Sequence, residues 1–422
     1  MFRCDHFSMR LTNYKKNKLC FSSVDLASIA SQFGTPAFIY CQDTIERNFL
    51  EYRAAFQNTQ HLICYAVKAN SNLSILKLLK NLGSGFDIVS GGELHRVMQI
   101  GADPKKIVFS GVGKSAQEIE AAIINEIGSI NIESDDELDL VVQIATHKQV
   151  QASVSLRVNP NVDPRTHPYI ATGLKSSKFG VPIENALGLY SKMAKNKHLK
   201  IVGVACHIGS QLRDLDPFEQ SVREIMQLVR KIEASGIKIR RVDCGGGLGI
   251  SYSGENLPHI QELVAIMKKE IPSKYVIAIE PGRSIVGKSG VLLTKIEYIK
   301  QCSEKNFAIV DAAMNDFIRP SLYQAEHEIL PCIESFKNRS AFDIVGPICE
   351  TGDWLAKNKS FSIKKGDYIA VLDVGAYCFS MSSNYNSRPR AIELLVDNQK
   401  ELKIIRKRET LEELLLNEVQ SI

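Results

Sequence analysis

The sequence predicts an α/β protein, a parallel (β/α)8 barrel followed by a β-rich domain of sandwich or barrel type. Three observations predict it. Eight short apolar runs recur between residues 62 and 279, and helical patterns lie between most of them. Strands alternating with helices at this spacing form parallel βα units, and eight such units over ~250 residues suit a closed barrel better than a doubly wound open sheet. Polar residues and glycines follow the apolar run in nearly every unit, at the strand ends where a barrel carries its chemistry. Beyond Arg283 the apolar runs continue while the helical patterns thin out.

In chain order, residues 26–33 read as a short helix ended by Gly34 and Pro36. A strand at 37–40 leads into a helix over about 44–56. The eight barrel strands are read at 62–67, 86–89, 107–110, 130–132, 154–158, 202–207, 242–244 and 276–279, with helices such as 72–82, 92–100, 116–125 and 217–234 between them. The barrel is thereby assigned to residues 36–285, and the β-rich domain to 286–422 together with 1–35. In that domain, 291–296, 307–310, 368–374 and 391–396 read as strands, 402–406 as a further strand, and 409–419 as a terminal helix with leucines on one face. Residues 1–18 are polar and basic and lack the apolar segment of a secretory signal. They are expected to be a poorly ordered extension, with Met1 or Met9 as the start.

At 422 residues the chain suggests two domains. Its 44% hydrophobic and 23% charged residues are ordinary globular values. The 52 basic and 47 acidic residues leave a net charge of +5, and the basic residues are scattered, so nucleic acid is not an expected partner. The 10 cysteines form no C-x-x-C pair and no cluster with zinc spacing, so no metal site is expected. Cys64, Cys206 and Cys244 lie in apolar runs, as free thiols do in a reducing cytoplasm. No run is long enough to predict a membrane span.

The strand ends carry distinctive residue types. Lys68 ends the first barrel run, Tyr65-Ala66-Val67-Lys68-Ala69-Asn70. An ammonium there is paired, lowered in pKa or used covalently, and an amine with a depressed pKa attacks aldehydes; a lysine simply reaching solvent is the plainer alternative. Asp87 lies in the second run, 86–89. Gly245-Gly246-Gly247-Leu248-Gly249 follows a strand directly, and such a run turns tightly and points N–H groups at an anion, phosphate being usual late in a barrel. Its spacing is not that of a dinucleotide fingerprint. Glu280 ends the last run before Pro281, Gly282 and Arg283. It calls for a cation, either Arg283 or the protonated ring nitrogen of a cofactor. His207, before Ile208-Gly209-Ser210, is either a core histidine or a flat face for an aromatic ligand. A strand-end lysine, a phosphate nest, a carboxylate for a pyridinium and a flat ring together compose a pyridoxal phosphate site.

These motifs, from about Phe38 to Arg390, resemble the alanine-racemase-type (fold-type III) barrel decarboxylases that use pyridoxal phosphate. The resemblance implies that Lys68 binds the cofactor covalently, that Glu280 holds the pyridinium nitrogen, that His207 stacks on the ring, and that Gly246 and its neighbours hold the phosphate. Three clusters further on narrow it: Arg319-Pro320-Ser321-Leu322-Tyr323, Gly346-Pro347-Ile348-Cys349-Glu350 and Gly375-Ala376-Tyr377. They resemble those of the diaminopimelate decarboxylase family. In that family Arg319 and Tyr323 would bind substrate, Arg283 would be a second substrate arginine, Cys349 would donate a proton, Glu350 would take the distal ammonium, and Tyr377 would touch cofactor and substrate. The implied substrate is meso-diaminopimelate and the product L-lysine, the last step of lysine synthesis. The rivals are a decarboxylase of another diamino acid, such as ornithine, arginine or lysine, a non-catalytic regulator that binds the cofactor, and a lysine-dependent aldolase. Lys68 and Cys349–Glu350 lie far apart in the chain, and the expected assembly is a homodimer in which each β-rich domain completes the partner's site.

Overall fold

The computed structural model describes residues 11–419. The start of the chain, Met1 or Met9, lies outside the described residues. The chain divides into two compact units: one is Ile45–Gly287, and the other joins the stretch up to Thr44 to the stretch from Lys288 onward.

The first unit is a closed parallel barrel. Its strands are His61–Ala66, Gly85–Ile88, Ile107–Phe109, Ser129–Ile132, Ala152–Asn159, Leu199–Ala205, Arg241–Asp243 and Val276–Ile279. Each pairs with its neighbour in parallel, and Ile277 opposite His61 closes the ring. The runs predict the strands because both faces of each strand are buried, so the apolar pattern is continuous rather than alternating. Three successive strand-to-helix loops end on a serine N-cap with glutamate at the third helical position. Ser90, Ser115 and Ser134 accept the backbone N–H of Glu93, Glu118 and Glu137 at 3.2, 3.3 and 3.2 Å. Each cap contributes about 1 kcal/mol and fixes where its helix starts.

The second unit is β-rich. Its main sheet runs Trp354–Phe361, Ser340–Val345, Asn306–Val310, Gly290–Gln301, Ala37–Cys41, Ile392–Val396, Leu402–Arg406. Tyr368–Leu372 also pairs with Gly290–Gln301 and carries Ile329–Pro331 on its other edge. The helix Leu26–Phe33, capped by Asp25, packs Leu26, Ile29 and Ala30 against this sheet.

Three expectations are corrected. The strand Ala37–Cys41 and its surroundings up to Thr44 belong to the β-rich unit instead of the barrel, because the strand pairs antiparallel with Gly290–Leu293 and parallel with Ile392–Val396. The described part of the presumed extension is ordered: Thr12–Lys15 and Lys18–Phe21 form a hairpin. Lys16 and Asn17, at φ 49° and 62°, make the two-residue turn whose twist suits a hairpin, and Leu19 and Phe21 enter the core. The terminal helix shrinks to Leu411–Leu414, because Leu411, Leu415, Leu416 and Val419 are exposed and find no surface to pack against among the described residues. Among the described residues no helix is long and apolar enough to cross a membrane.

Candidate active site

The barrel gathers its polar residues at the C-terminal ends of its strands. The strand His61–Ala66 runs into a single 3-10 turn, Val67–Ala69, that carries Lys68 at the rim. Lys68 Nζ is paired with the Asp87 carboxylate, which lies on the next strand and is wholly buried. The turn is held from the other side as well, since Ala66 N–H donates to Pro281 O at 3.1 Å. A Cβ on Gly282 would stand 3.0 Å from Ala69 Cβ and 3.1 Å from Ala66 Cβ, so a glycine lets the two loops meet.

Glu280 follows the last barrel strand and is half-buried. Burial, then the neighbouring charges of Asp243 and Asp87, push its pKa well above the usual carboxylate range, against the opposing pull of Lys68 and Arg157. Ser110 Oγ donates to it weakly at 3.5 Å. Three carboxylates crowded together need a further cation, and the ring N–H⁺ of a cofactor at Glu280 would fit that need. Arg283, the other candidate, donates to Ser210 Oγ at 3.3 and 3.1 Å and to Tyr252 Oη at 2.8 Å.

His207 is a neutral imidazole. Burial lowers its pKa well below the ordinary value, and the charges of Arg157 and Lys68 lower it further. Its Nδ1 accepts the Gly246 N–H at 3.2 Å, which fixes the tautomer and the plane of the ring. Two N–H groups of the glycine run already have partners within the chain. Gly245 N–H donates to Asp243 Oδ1 at 3.0 Å and Gly246 N–H to His207, so both are engaged within the barrel. These residues also supply room. Gly245 and Gly247 take φ of 67° and 114°, and a Cβ on Gly246 would lie 2.1 Å from Glu280 O.

Residues outside the predicted set stand among these. Arg157 is buried, donates to Glu133 Oε1 at 2.8 Å, and lies over the Phe179 ring. Glu93 is pushed up to about 7, by burial first, while Lys68 holds it down. Asp243 lies beside Glu280, and its pKa is raised by its own burial first. Arg157 and Asp243 sit on barrel strands and Glu93 in a capping sequence; the strand-end position was the available signal for the first two.

The β-rich unit assembles the other predicted residues. Arg319 and Tyr323 bracket the one-turn helix Arg319–Tyr323, with the guanidinium 6.0 Å from the Tyr323 ring centre. Ser321 Oγ of that turn donates to Gly352 O at 2.6 Å, tying it to the bend that carries Cys349 and Glu350. Buried Asp353 closes the bend by accepting the N–H of Ile348 and Met314, both at 2.7 Å. Cys349 N–H donates to Asn386 Oδ1 at 3.2 Å, and Tyr385 Oη donates to Glu350 Oε1 at 2.5 Å. The Cys349 and Glu350 side chains are exposed on the single chain. Tyr377 follows the strand Tyr368–Leu372 in a left-handed conformation, φ 57°, a cost of ~1 kcal/mol or more that needs support from its surroundings.

Residues 42–287 match the family described as "Pyridoxal-dependent decarboxylase, pyridoxal binding domain". The chain is 46% identical to the diaminopimelate decarboxylase of Pseudomonas aeruginosa, over 96% of this chain and 98% of the relative. It is 47% identical to that of Aquifex aeolicus, over 94% of each. A crystal structure of diaminopimelate decarboxylase from Helicobacter pylori, complexed with L-lysine, superposes with a TM-score of 0.90 at 44% identity, covering 93% of this chain and 98% of the other.

Proposed function

Because the chain belongs to the diaminopimelate decarboxylase family of pyridoxal-phosphate-dependent enzymes, we propose that it converts meso-2,6-diaminopimelate to L-lysine and carbon dioxide, closing lysine biosynthesis. The observation that carries the substrate reading is the 46% identity to a diaminopimelate decarboxylase over 96% of this chain. An amino-acid group has a carboxylate and an ammonium, which a guanidinium such as that of Arg319 and a carboxylate such as that of Glu350 complement. A substrate with an amino-acid group at each end keeps one for recognition while the other reacts.

The cofactor, when bound, supplies an aldehyde for the substrate amine and a protonated ring that draws off the electron pair left by the departing carboxylate. Lys68 would hold the cofactor at its aldehyde carbon, and Asp87 is the carboxylate that pairs with the Lys68 ammonium. Glu280 keeps the ring nitrogen protonated. His207 sets the ring plane, while Ser210, Gly245, Gly246, Gly247, Pro281, Gly282 and Arg283 shape the remainder of the pocket. Arg319, Tyr323 and Glu350 hold the distal amino-acid group, with Arg283 as a second arginine, and Tyr377 reaches both cofactor and substrate. Cys349 Sγ–H delivers one proton to the carbon that lost carbon dioxide, so that a carbon–carbon bond is replaced by a carbon–hydrogen bond.

The assembly we propose is a two-fold dimer in which Cys349 and Glu350 serve the partner's cofactor. Their exposure on one chain supports it. A cytoplasmic location fits the described cysteines, which are free thiols. The test is turnover of meso-diaminopimelate beside ornithine, arginine and lysine, reading carbon dioxide and L-lysine, and then mixing Lys68→Ala with Cys349→Ala chains. Each variant is expected to be nearly inactive alone and the exchanged mixture to recover activity. Faster turnover of another amino acid overturns the substrate; no recovery after verified exchange places the whole site in one chain.

A further inference from the structure

His327 is a buried histidine that the proposed reaction does not use. It lies eight residues beyond Arg319 in sequence and is 2% exposed. Its Nδ1 stands 2.8 Å from Leu372 O on the strand Tyr368–Leu372. A carbonyl oxygen only accepts, so Nδ1 carries the ring proton. The other nitrogen, Nε2, then has a lone pair, and it accepts the Arg319 Nε–H at 3.2 Å. A ring protonated at both nitrogens would have no lone pair for that bond and would set a second cation against the guanidinium.

The imidazole is itself held on two further sides. The Phe317 ring meets it edge-on, with centres 4.8 Å apart and planes at 88°. The backbone beside it is tied to the same strand, since Leu372 N–H donates to Glu328 O at 2.9 Å. The relay is therefore directional: a strand carbonyl fixes the tautomer, the tautomer makes an acceptor, and the acceptor grips one edge of the guanidinium. Held by Nε, Arg319 keeps a fixed plane and a fixed heading for its Nη1/Nη2 fork, the edge that meets a carboxylate with two parallel bonds.

We propose that His327 is a positioning residue for substrate specificity, aiming Arg319 at the carboxylate of the amino-acid group that does not react. The proposal rests on the reading of Arg319 as a substrate arginine. L-lysine retains that carboxylate, so His327 acts on product affinity as much as on substrate affinity, and on neither through the bond that breaks.

The test compares His327→Phe, His327→Gln, Arg319→Lys and the double variant His327→Phe/Arg319→Lys as holoenzymes. Phenylalanine fills the space but loses both bonds. Glutamine places an amide oxygen near the position of Nε2 and restores the acceptor. The readouts are kcat and KM for meso-diaminopimelate, calorimetric binding of L-lysine, and inhibition by 1,5-diaminopentane, which lacks any carboxylate. A hydrogen bond to a charged group is at stake, so His327→Phe is expected to raise KM and weaken L-lysine roughly tenfold or more. Its kcat and diaminopentane inhibition are expected to stay within about twofold, a split that general loosening of the unit would not produce. His327→Gln is expected to recover most of the loss, and the double variant to add little to Arg319→Lys. If Arg319→Lys weakens L-lysine while both His327 variants bind it normally, the positioning role is overturned and the reading of Arg319 stands. If Arg319→Lys leaves KM and L-lysine binding unchanged, the reading of Arg319 fails first. Equal losses for L-lysine and diaminopentane with no rescue by glutamine make His327 a general structural residue and overturn the proposal. Should His327→Phe not fold, the L-lysine affinity and KM of His327→Gln relative to Arg319→Lys decide alone.

Discussion

Replacing Gly246 by alanine adds one carbon where the barrel has no room. The new Cβ would lie 2.1 Å from Glu280 O, 2.8 Å from Glu280 C and 3.4 Å from Pro281 N. All three are backbone atoms of the neighbouring strand end, so no side chain can rotate away. Ordinary contact is about 3.5 Å or more, and the two strand ends must separate by more than ~1 Å. The bond most directly threatened is Glu280 N–H to Gly245 O, 2.8 Å. Overpacking of this kind costs about 1–3 kcal/mol and the lost hydrogen bond about 1 more. The functional cost is larger, because the displaced residue is Glu280, and a misplacement of ~1 Å at a reacting centre can cost ~10²-fold in rate. The assays are cofactor titration by visible absorbance, steady-state decarboxylation and thermal melting. Gly188→Ala is the control. That glycine is exposed on the helix Ile183–Ala194 with nothing within 4 Å of an added Cβ, and alanine there should stabilise by roughly 0.5–1 kcal/mol. A Gly246→Ala enzyme with normal cofactor affinity and a kcat within about twofold of the parent would refute the steric reasoning.

Three shorter predictions go with it. Lys68→Ala is expected to lose the visible band of covalently held cofactor and nearly all turnover; an unchanged spectrum and rate would remove Lys68 from the site. Glu280→Gln is expected to lower kcat more than cofactor affinity, by ~30-fold or more if a buried charge pair of about 2–5 kcal/mol is lost. In the apoprotein the sign reverses. The raised pKa of Glu280 means its contribution to stability is present at low pH and is lost as pH rises, so the apo Gln variant should melt no lower than the parent at neutral pH. Glu350→Ala is expected to raise KM for diaminopimelate more than tenfold, and unchanged kinetics would show that Glu350 does not hold the distal ammonium.

The barrel was legible because each of its strands is buried on both faces, which leaves continuous apolar runs in the sequence. Lys68 and Glu280 stood out for the same reason, as charges ending apolar runs. Ser340–Val345 and Trp354–Phe361 were not legible: they alternate or carry polar stretches such as Lys357-Asn358-Lys359-Ser360 at an exposed edge. The reading of 409–419 as a helix followed leucine spacing, which describes a face but not whether a surface exists to receive it. Within the site, residue types were readable and pairings were not. That Gly246 N–H goes to His207, or that Asp243 crowds Glu280, depends on strands brought together by closure of the ring. The Arg319–His327 bond crosses only eight residues, yet no spacing rule announces it, because the strand Tyr368–Leu372 fixes the imidazole from forty-five residues away.

The strand Ala37–Cys41 has a consequence for how the chain comes to be folded. Both of its partners, Gly290–Leu293 and Ile392–Val396, lie beyond the whole barrel in sequence. During synthesis from the N-terminus, residues 45–287 emerge as one uninterrupted stretch holding every strand that closes the ring. The barrel can therefore finish while Ala37–Cys41, made before it, still has an unsatisfied edge. That edge is wholly apolar in sequence, Ala-Phe-Ile-Tyr-Cys, the kind of segment that aggregates when left exposed. A folded barrel spanning the gap also shortens the effective loop that must close when Gly290–Gln301 arrives, lowering the entropy cost relative to a flexible chain of the same length. The order of translation thus makes Ala37–Cys41 a strand that waits for the whole barrel before its neighbours are made.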